Sequence, residues 1–188
     1  PVNTIVPKDG KLEGHNTDGI GFMRSLADLE VDPIGKQLTI LGAGGASTAI
    51  IAQAALDGVK TIHVFNRKDH FYDQIHEKLA KIAQATGCDI ALYDLAGPQQ
   101  QLADSLAASC LLVNATRVGM APALAEMALP DETLLHPDLA VYDVIYEPRQ
   151  THLLKVASER GLKTGNGLGM LLYQGAAAFE AWTGKEMP

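Results

Sequence analysis

A glycine-rich turn in the first half of the chain has the residue types that bind a phosphate group through the main chain. Residues 38–49 read Leu-Thr-Ile-Leu-Gly-Ala-Gly-Gly-Ala-Ser-Thr-Ala. Gly42 permits a tight turn out of an apolar strand, and Gly44 lets the backbone approach a pyrophosphate at the start of the next helix. The third position of this dinucleotide fingerprint is Ser47, where Gly or Ala is usual. Because the turn joins an apolar strand to an Ala-rich helix, it predicts a dinucleotide site rather than a purely structural turn.

A charged segment follows the next predicted strand, where dinucleotide-binding domains contact the adenosine ribose. An acidic residue there favours NAD, and a nearby Arg accommodates the 2′-phosphate of NADP. The sequence has Asn66 in the acidic position, followed by Arg67, Lys68 and Asp69. Both signs of charge are present, so the preference between NAD and NADP stays open. A solvated turn accounts for Lys68 and His70, whereas Asn66 and Arg67 are candidates for adenosine contacts.

Asp18 is the candidate for acid–base chemistry. It stands in Asn16-Thr17-Asp18-Gly19, directly before an apolar helical repeat. A carboxylate in such a position can orient an amine that handles a proton and can bias its pKa. Aspartate before a helix is most often a simple N-cap, and this segment alone does not decide between the two roles. The His and Cys residues have no metal-ligand spacing, so no metal site is predicted.

Alternating strands and helices must position these residues. Apolar strands are predicted at 38–41, 61–65, 89–93, 111–113, 140–144 and 162–164. Helices between and after them are predicted at 47–56, 71–85, 99–107, 151–159 and 168–182. A strand-like run at 2–6, a turn at 8–10 and a helix at 18–29 precede this series. Such alternation predicts an α/β fold, a Rossmann-type doubly wound parallel sheet with helices on both faces.

The composition limits the classes of function. Of 188 residues, 47% are hydrophobic and 20% are charged, an ordinary balance for a globular domain. The formal net charge of −7 argues against a general nucleic-acid or membrane-surface binder, since both need a basic face. No apolar stretch approaches the length of a membrane span. Cys88 and Cys110 are expected to be reduced, buried thiols of a cytoplasmic protein.

Seven motifs follow one another along the chain, and together they are typical of one family. They are Val2-Asn3-Thr4, Asn16-Thr17-Asp18-Gly19, Gly42-Ala43-Gly44-Gly45-Ala46, Asn66-Arg67, Asn114-Ala115-Thr116 with Gly119-Met120, Tyr142-Asp143-Val144-Ile145-Tyr146, and Gly167-Leu168-Gly169-Met170-Leu171-Leu172-Tyr173-Gln174. The set closely resembles the shikimate dehydrogenase family over nearly the whole chain, and Asn-Arg-Lys-Asp is most similar to its quinate/shikimate dehydrogenase branch. The resemblance implies hydride transfer between NAD or NADP and a ring carbinol or ketone, with shikimate or quinate as the substrate.

The resemblance also implies roles for individual residues. Asp18 would be the carboxylate of the catalytic pair, and Asn3, Tyr146 and Gln174 would contact the substrate with it. The expected cofactor residues are Gly42, Ala43, Gly44, Gly45 and Ala46 at the pyrophosphate, Asn66, Arg67, Lys68 and Asp69 at the adenosine, and Thr116, Arg117, Val144, Gly167 and Met170 along the rest of the channel.

The other catalytic residue of the family is a Lys in a separate N-terminal substrate domain, which matches no segment of this chain apart from a last strand at 2–6. We therefore interpret residues 1–17 as the end of a missing substrate domain, and 18–188 as the NAD(P)-binding domain with its closing helix. On this hypothesis the missing domain is a partner of the chain, which binds a dinucleotide but does not turn over alone. The resemblance leaves open a homodimer and the choice between shikimate and quinate.

Two other functions remain to be distinguished from this one. The first is a non-catalytic dinucleotide-binding module that acts as a sensor or binds a partner protein. The second is the cofactor domain of a different dehydrogenase with a similar glycine turn. Asn3, Asp18 and Gln174 discriminate among them, because a sensor has no need for polar groups aimed at a cyclohexanecarboxylate.

Overall fold

Strands and helices alternate along most of the chain in the computed structural model, which describes residues 2–188. An antiparallel hairpin of β1 (Thr4–Lys8) and β2 (Lys11–His15) comes first, and helix α1 (Asp18–Asp28) follows it. The remaining elements are β3 (Gln37–Leu41), α2 (Gly45–Leu56), β4 (Thr61–Asn66), α3 (Tyr72–Thr86), β5 (Asp89–Asp94), α4 (Gln99–Ala107), β6 (Ser109–Asn114), a 3₁₀ helix (Glu132–Leu134), β7 (Ala140–Asp143), α5 (His152–Glu159), β8 (Thr164–Asn166) and α6 (Gly167–Thr183).

The central sheet confirms the predicted fold class. Its six strands are all parallel and lie in the order β5-β4-β3-β6-β7-β8. The order reverses between β3 and β6, which is where a doubly wound sheet opens a crevice at the carboxyl ends of its strands. Side chains on one face of the sheet pack with α1, α2, α3 and α6, and those on the other face pack with α4 and α5.

Helix α1 lies unusually close to its two neighbours because two of its residues are glycines. A Cβ atom built on Gly19 would overlap the Ala49 carbonyl oxygen of α2, and one on Gly21 would lie 2.5 Å from the Met170 carbonyl oxygen of α6. Glycine inside a helix costs about 1 kcal/mol relative to alanine. The close backbone contact accounts for its presence here, since no larger residue fits.

The hairpin is the main element that the sequence analysis did not anticipate. The predicted strand at 2–6 and turn at 8–10 correspond to β1 and its turn, but β2 was not predicted. The sequence of β2, Lys-Leu-Glu-Gly-His, has no alternation of apolar and polar residues, because all five residues are exposed and none needs to be apolar. The signal that indicates a half-buried strand is therefore absent. The turn residues Asp9 and Gly10 both have positive φ angles, as the Asp-Gly turns of two-residue hairpins require.

No helix within residues 2–188 combines the length and apolar character that crossing a bilayer requires.

A polar cluster is buried between the sheet and α4. The Thr39 hydroxyl lies 2.6 Å from the Ser105 hydroxyl and 2.9 Å from the Ser109 hydroxyl. Nδ1 of His63, on β4, lies 2.9 Å from the same Ser105 hydroxyl. Burial lowers the pKa of His63 below its ordinary value of 6.5, against the smaller opposing effect of the Asp89 charge.

We expect this histidine to make the protein less stable in mild acid. Because the pKa of His63 is lower in the folded state than in the unfolded state, protonation favours unfolding. Its contribution to stability is present above about pH 6.5 and is lost as the pH falls through the folded-state value. In urea unfolding between about pH 7.5 and pH 5.5, His63→Gln should flatten this part of the decline. The exposed control His76→Gln should leave the decline unchanged, and an equal decline in both variants would contradict the assignment.

Candidate active site

The glycine turn places Gly42 in a conformation and a space that favour glycine. Gly42 follows β3 directly and has a φ angle of +92°. A Cβ atom built on it would lie 2.9 Å from Cγ2 of Thr116 and 3.0 Å from the Ala115 carbonyl oxygen. Its N–H donates to the Phe65 carbonyl oxygen at 2.8 Å. The turn is therefore fixed between the end of β4 and the loop that follows β6.

The surroundings of Ser47 explain why a serine occupies the third position of the fingerprint. The side chain is fully buried in the first turn of α2, and its hydroxyl donates to the Gly42 carbonyl oxygen at 2.7 Å. A serine is thus small enough for the close packing of helix against strand that the third glycine usually provides. Its hydroxyl also ties the helix to the turn, which neither glycine nor alanine can do.

The start of α2 is open on its outer side. Gly44 occupies the N-cap position without a side-chain cap, and the first turn contains no acidic residue. Gly44 and Gly45 are exposed, and a Cβ atom on either would meet nothing within 4 Å. Uncapped amides and the positive end of a helix dipole form a ready binding site for an anion. The residues of the turn are therefore arranged as the fingerprint predicts.

Two adjoining clefts meet at the turn and share Ala43, Gly44 and Asn66. One, of about 570 Å³, runs toward α3 and is also lined by Gly45, Thr48, Asp69, Phe71, Gln74, Ile75 and Lys78. The other, of about 470 Å³, runs toward the loop after β6, and its lining includes Arg67, Thr116 and Arg117. Most residues predicted for the pyrophosphate and adenosine thus line these two neighbouring clefts.

Asn66 braces these clefts with both ends of its amide. Its Oδ1 accepts a hydrogen bond from the Ala43 N–H at 3.1 Å, and its Nδ2 donates to the Arg67 carbonyl oxygen at 2.9 Å. An aspartate could accept the first bond but could not donate the second. Of the charged residues that follow, Lys68 has its Nζ 6.0 Å from the centre of the Tyr72 ring, and the Asp69 carboxylate accepts the Phe71 N–H at 2.9 Å.

Asn3 and Asp18 are brought into direct contact at the start of α1. Nδ2 of Asn3 donates to Oδ1 of Asp18 at 2.9 Å, while Oδ1 of Asn3 accepts the Thr17 N–H at 3.0 Å. The N-cap position belongs to Thr17, and Asp18 is the first residue of the helix. A simple N-cap therefore does not explain Asp18. Its half-buried side chain is held by the amide of Asn3, which lies directly before β1.

The other predicted site residues lie on separate elements. The backbone of Gln174, on α6, contacts Gly21, one turn beyond Asp18. Tyr146, on the loop after β7, is 49% exposed. Met170 is only 7% exposed and packs in the core with α1.

The loop after β7 is held where it passes the sheet and α6. The Val144 N–H donates to the Asn114 carbonyl oxygen at 2.9 Å, and the Gly167 N–H donates to the Ile145 carbonyl oxygen at 3.0 Å. A Cβ atom on Gly167 would overlap the Val144 carbonyl oxygen. Val144 and Gly167, two of the residues predicted for the cofactor channel, are therefore neighbours in the structure.

Two polar residues at the crevice belong to the sequence motifs, although the sequence alone predicts no role for them. Asn114 and Asp143 are fully buried at the ends of β6 and β7, and Nδ2 of Asn114 lies 3.1 Å from each carboxylate oxygen. The carboxylate also accepts the Ile145 N–H at 3.1 Å and the Thr151 hydroxyl at 2.7 Å. Burial raises the pKa of Asp143, and these hydrogen bonds oppose the increase. A polar residue that ends each of two apolar strands was the signal that could have identified the pair.

A doubly wound parallel sheet with an open glycine turn at the reversal of its strand order defines a dinucleotide-binding domain of the Rossmann type. Comparison with known proteins narrows this class. The family model described as the shikimate 5'-dehydrogenase C-terminal domain matches residues 167–188. Shikimate dehydrogenase (NADP(+)) of Listeria monocytogenes is 53% identical over 187 residues, which are 100% of this chain and 64% of that protein. Quinate/shikimate dehydrogenase of Escherichia coli is 46% identical over 187 residues, covering 100% of this chain and 65% of that protein.

Solved structures agree with these relatives. Shikimate 5-dehydrogenase from Listeria monocytogenes, crystallised with shikimate and NAD, has a TM-score of 0.95 at 53% identity, over 100% of this chain and 64% of that one. Quinate dehydrogenase from Corynebacterium glutamicum, crystallised with NAD, has a TM-score of 0.82 at 32% identity, over 98% and 63%. Over its whole length the chain is similar to members of the shikimate dehydrogenase family, as its motifs predicted. It spans 64% of the length of the Listeria relative.

Proposed function

We propose that the chain is the cofactor-binding part of an NAD(P)-dependent dehydrogenase that interconverts shikimate or quinate with the corresponding ring ketone. The observation that carries this proposal is the open, uncapped start of α2 at the point where the strand order reverses. Relatives named shikimate dehydrogenase (NADP(+)) and quinate/shikimate dehydrogenase support the choice of substrate. Similar structures crystallised with NAD and with NADP support the choice of cofactor.

In the proposed complex each part of the crevice takes one part of the dinucleotide. The amides of Gly44, Gly45 and Ala46 bind the pyrophosphate, because they are uncapped and at the positive end of α2, while Gly42 and Ala43, whose N–H groups have protein acceptors, hold the turn beside it. We assign the segment 66–69 to the adenosine, and Thr116, Arg117, Val144, Gly167 and Met170 to the channel beyond it. Thr116 and Arg117 line the cleft, and Met170 lies in the adjoining core. The nicotinamide supplies or accepts the hydride when it is bound.

The polar group at the start of α1 handles the proton in this proposal. Asp18 orients the amine of a lysine from the substrate domain, whose presence is inferred from the family resemblance. Asn3 holds the Asp18 carboxylate through the 2.9 Å hydrogen bond. Asn3, Gln174 and Tyr146 also offer hydrogen bonds to the hydroxyl groups of the substrate. The amine and the carboxylate together move a proton while the hydride is transferred.

The hairpin supports the proposed division at residue 17. Both of its faces are largely exposed, and the exposed fractions of Ile5 and Leu12 are 55% and 75%. A two-stranded hairpin of this kind is at best marginally stable by itself in water. We therefore assign residues 1–17 to a substrate domain, and 18–188 to the NAD(P)-binding domain.

The two cysteines are consistent with a cytoplasmic protein, which is part of the same proposal. Both are free, with Cys88 buried and Cys110 half-buried. Burial raises the pKa of the Cys88 thiol to about 11, so the reactive thiolate is scarce near neutral pH.

A steady-state assay of the full-length protein tests the proposed function. Shikimate and quinate are each offered with NAD and with NADP, and formation of the reduced cofactor is followed. We expect turnover of at least one acid with at least one cofactor. Tight dinucleotide binding without any turnover would instead favour the sensor or partner-binding module.

Arg67→Ala should weaken the binding of NADP more than that of NAD. Arg67 lines the cleft next to Asn66, and only NADP carries a 2′-phosphate with which a guanidinium could pair. A charge-assisted hydrogen bond contributes about 1.5–3 kcal/mol, so the affinity for NADP should fall roughly 10- to 150-fold. Titration calorimetry with both cofactors measures the difference. Lys60→Ala, which removes an exposed cation at the opposite end of β4, is the control, and an equal loss for NAD and NADP in Arg67→Ala would indicate adenine stacking instead.

A further inference from the structure

Two loops that border the crevice leave the sheet from neighbouring strands. The loop after β6 carries Thr116 and Arg117, and the loop after β7 carries Val144 to Tyr146. Asn114 and Asp143 end these strands and are direct partners in the parallel register. The contact between their side chains therefore joins the starts of the two loops, in addition to the backbone pairing of the strands.

Asn114 holds the first loop through both ends of its amide. Its Oδ1 accepts the Thr116 N–H at 3.0 Å and the Thr116 hydroxyl at 2.7 Å, and its Nδ2 donates to the Val118 carbonyl oxygen at 3.3 Å. The Thr116 hydroxyl oxygen in turn accepts the Val118 N–H at 3.1 Å. The conformation of residues 115–118 thus depends on one buried amide.

Asp143 holds the second loop and the start of α5. Its carboxylate accepts the Ile145 N–H and the Thr151 hydroxyl, in addition to the Asn114 amide. Thr151 is the N-cap of α5, and it also touches the first loop, since a Cβ atom on Gly119 would lie 3.3 Å from Cβ of Thr151. All of these partners donate hydrogen bonds to the carboxylate. Both oxygens of the residue 143 side chain must therefore act as acceptors.

We propose that Asp143 is a positioning residue for hydride transfer, because its carboxylate links the two loops that border the crevice, through Asn114 on one side and through Ile145 and Thr151 on the other. Asp143 is fully buried, so it acts through Asn114, Ile145 and Thr151. This inference rests on the proposed function and deepens it. The adenosine end is held independently, by Asn66 and the glycine turn.

Kinetics of full-length variants test the role. We expect Asp143→Asn and Thr151→Val to lower kcat roughly 10- to 100-fold, since small displacements of reacting groups have effects of this size. Affinity for ADP-ribose, which lacks the nicotinamide, should stay within about twofold of wild type. Thr151→Ser keeps the hydroxyl and should restore kcat. If Asp143→Asn does not fold, the comparison of Thr151→Val with Thr151→Ser still tests the positioning role.

A control separates positioning from stability. Val156→Ala removes buried atoms from α5 without touching the carboxylate, so it should lower Tm and leave kcat unchanged. If Asp143→Asn and Thr151→Val lower Tm but keep wild-type kcat, the positioning role is overturned. A wild-type protein that oxidises neither acid refutes the proposed function instead. In that case the positioning role is tested by binding alone. Asp143→Asn and Thr151→Val must both lower the affinity for the dinucleotide relative to the affinity for ADP-ribose.

Discussion

The Asp18→Asn variant of the full-length protein is expected to lose roughly 10²- to 10⁴-fold in turnover, which is the usual contribution of general acid–base catalysis. The substitution removes the charge that would orient a catalytic ammonium and bias its pKa. It keeps the shape of the side chain, and the new amide oxygen can still accept the hydrogen bond from Asn3. The loss of a negative charge in the first helical turn costs only about 0.3–1 kcal/mol. Turnover and a urea unfolding midpoint, measured on the same preparation, separate the two effects.

Asp28→Asn provides the matched control on the same helix. Asp28 is exposed and accepts a hydrogen bond from the Tyr173 hydroxyl at 2.8 Å, far along α1 from Asn3. This variant should keep its turnover, because the change is equally conservative but lies away from the proposed proton-handling group. Near-normal turnover in Asp18→Asn would refute the catalytic role and leave Asp18 as a residue that orders the start of α1.

Gly44→Asp should abolish dinucleotide binding while leaving the fold as stable as before. The φ and ψ angles of Gly44, −76° and −169°, are those of an ordinary N-cap, and no protein atom occupies the space of its missing side chain. Aspartate is a better N-cap than glycine, so the helix gains a few tenths of a kcal/mol. The same carboxylate would repel a pyrophosphate and would accept hydrogen bonds from the backbone amides that the pyrophosphate needs. Binding should therefore weaken at least about 100-fold.

Gly44→Asn separates charge from bulk in this experiment. Asparagine has nearly the same size and caps a helix about as well, but it is neutral. Titration of each variant with NAD and NADP, beside a thermal unfolding curve, gives both quantities. Binding of either cofactor by Gly44→Asp at wild-type strength would exclude the start of α2 as the pyrophosphate site.

The sheet was predictable because its strands are short apolar runs separated by helical patterns. The strand predicted at 38–41, for example, is observed as Gln37–Leu41, and the helix predicted at 99–107 is observed as Gln99–Ala107. Strands buried on both faces need continuous apolar residues, which makes them visible in a sequence. Residues 11–15 contain one large apolar side chain, Leu12, which is exposed, so β2 forms through its turn and its partner strand rather than through burial.

The site was predictable only where one segment contains the whole signal. The turn from Gly42 to Ser47 is such a segment. By contrast, the pairing of Asn114 with Asp143 depends on the register of β6 against β7, which involves residues 29 positions apart. Likewise, the hydrogen bond from Asn3 to Asp18 arises only once the hairpin brings its two ends together. The roles proposed for individual site residues remain predictions that the variants above address.

The two glycines of α1 also decide which parts of the molecule can move against each other. Backbone contact at Gly19 and Gly21 leaves no side-chain layer that could slide, so we expect α1, α2 and α6 to move together as one rigid block. Asp18 and Gln174 both belong to that block, so the distance between them should stay constant when the crevice opens or closes. Any hinge that opens or closes the crevice must then lie outside it, before α1 or in the loops that follow β6 and β7.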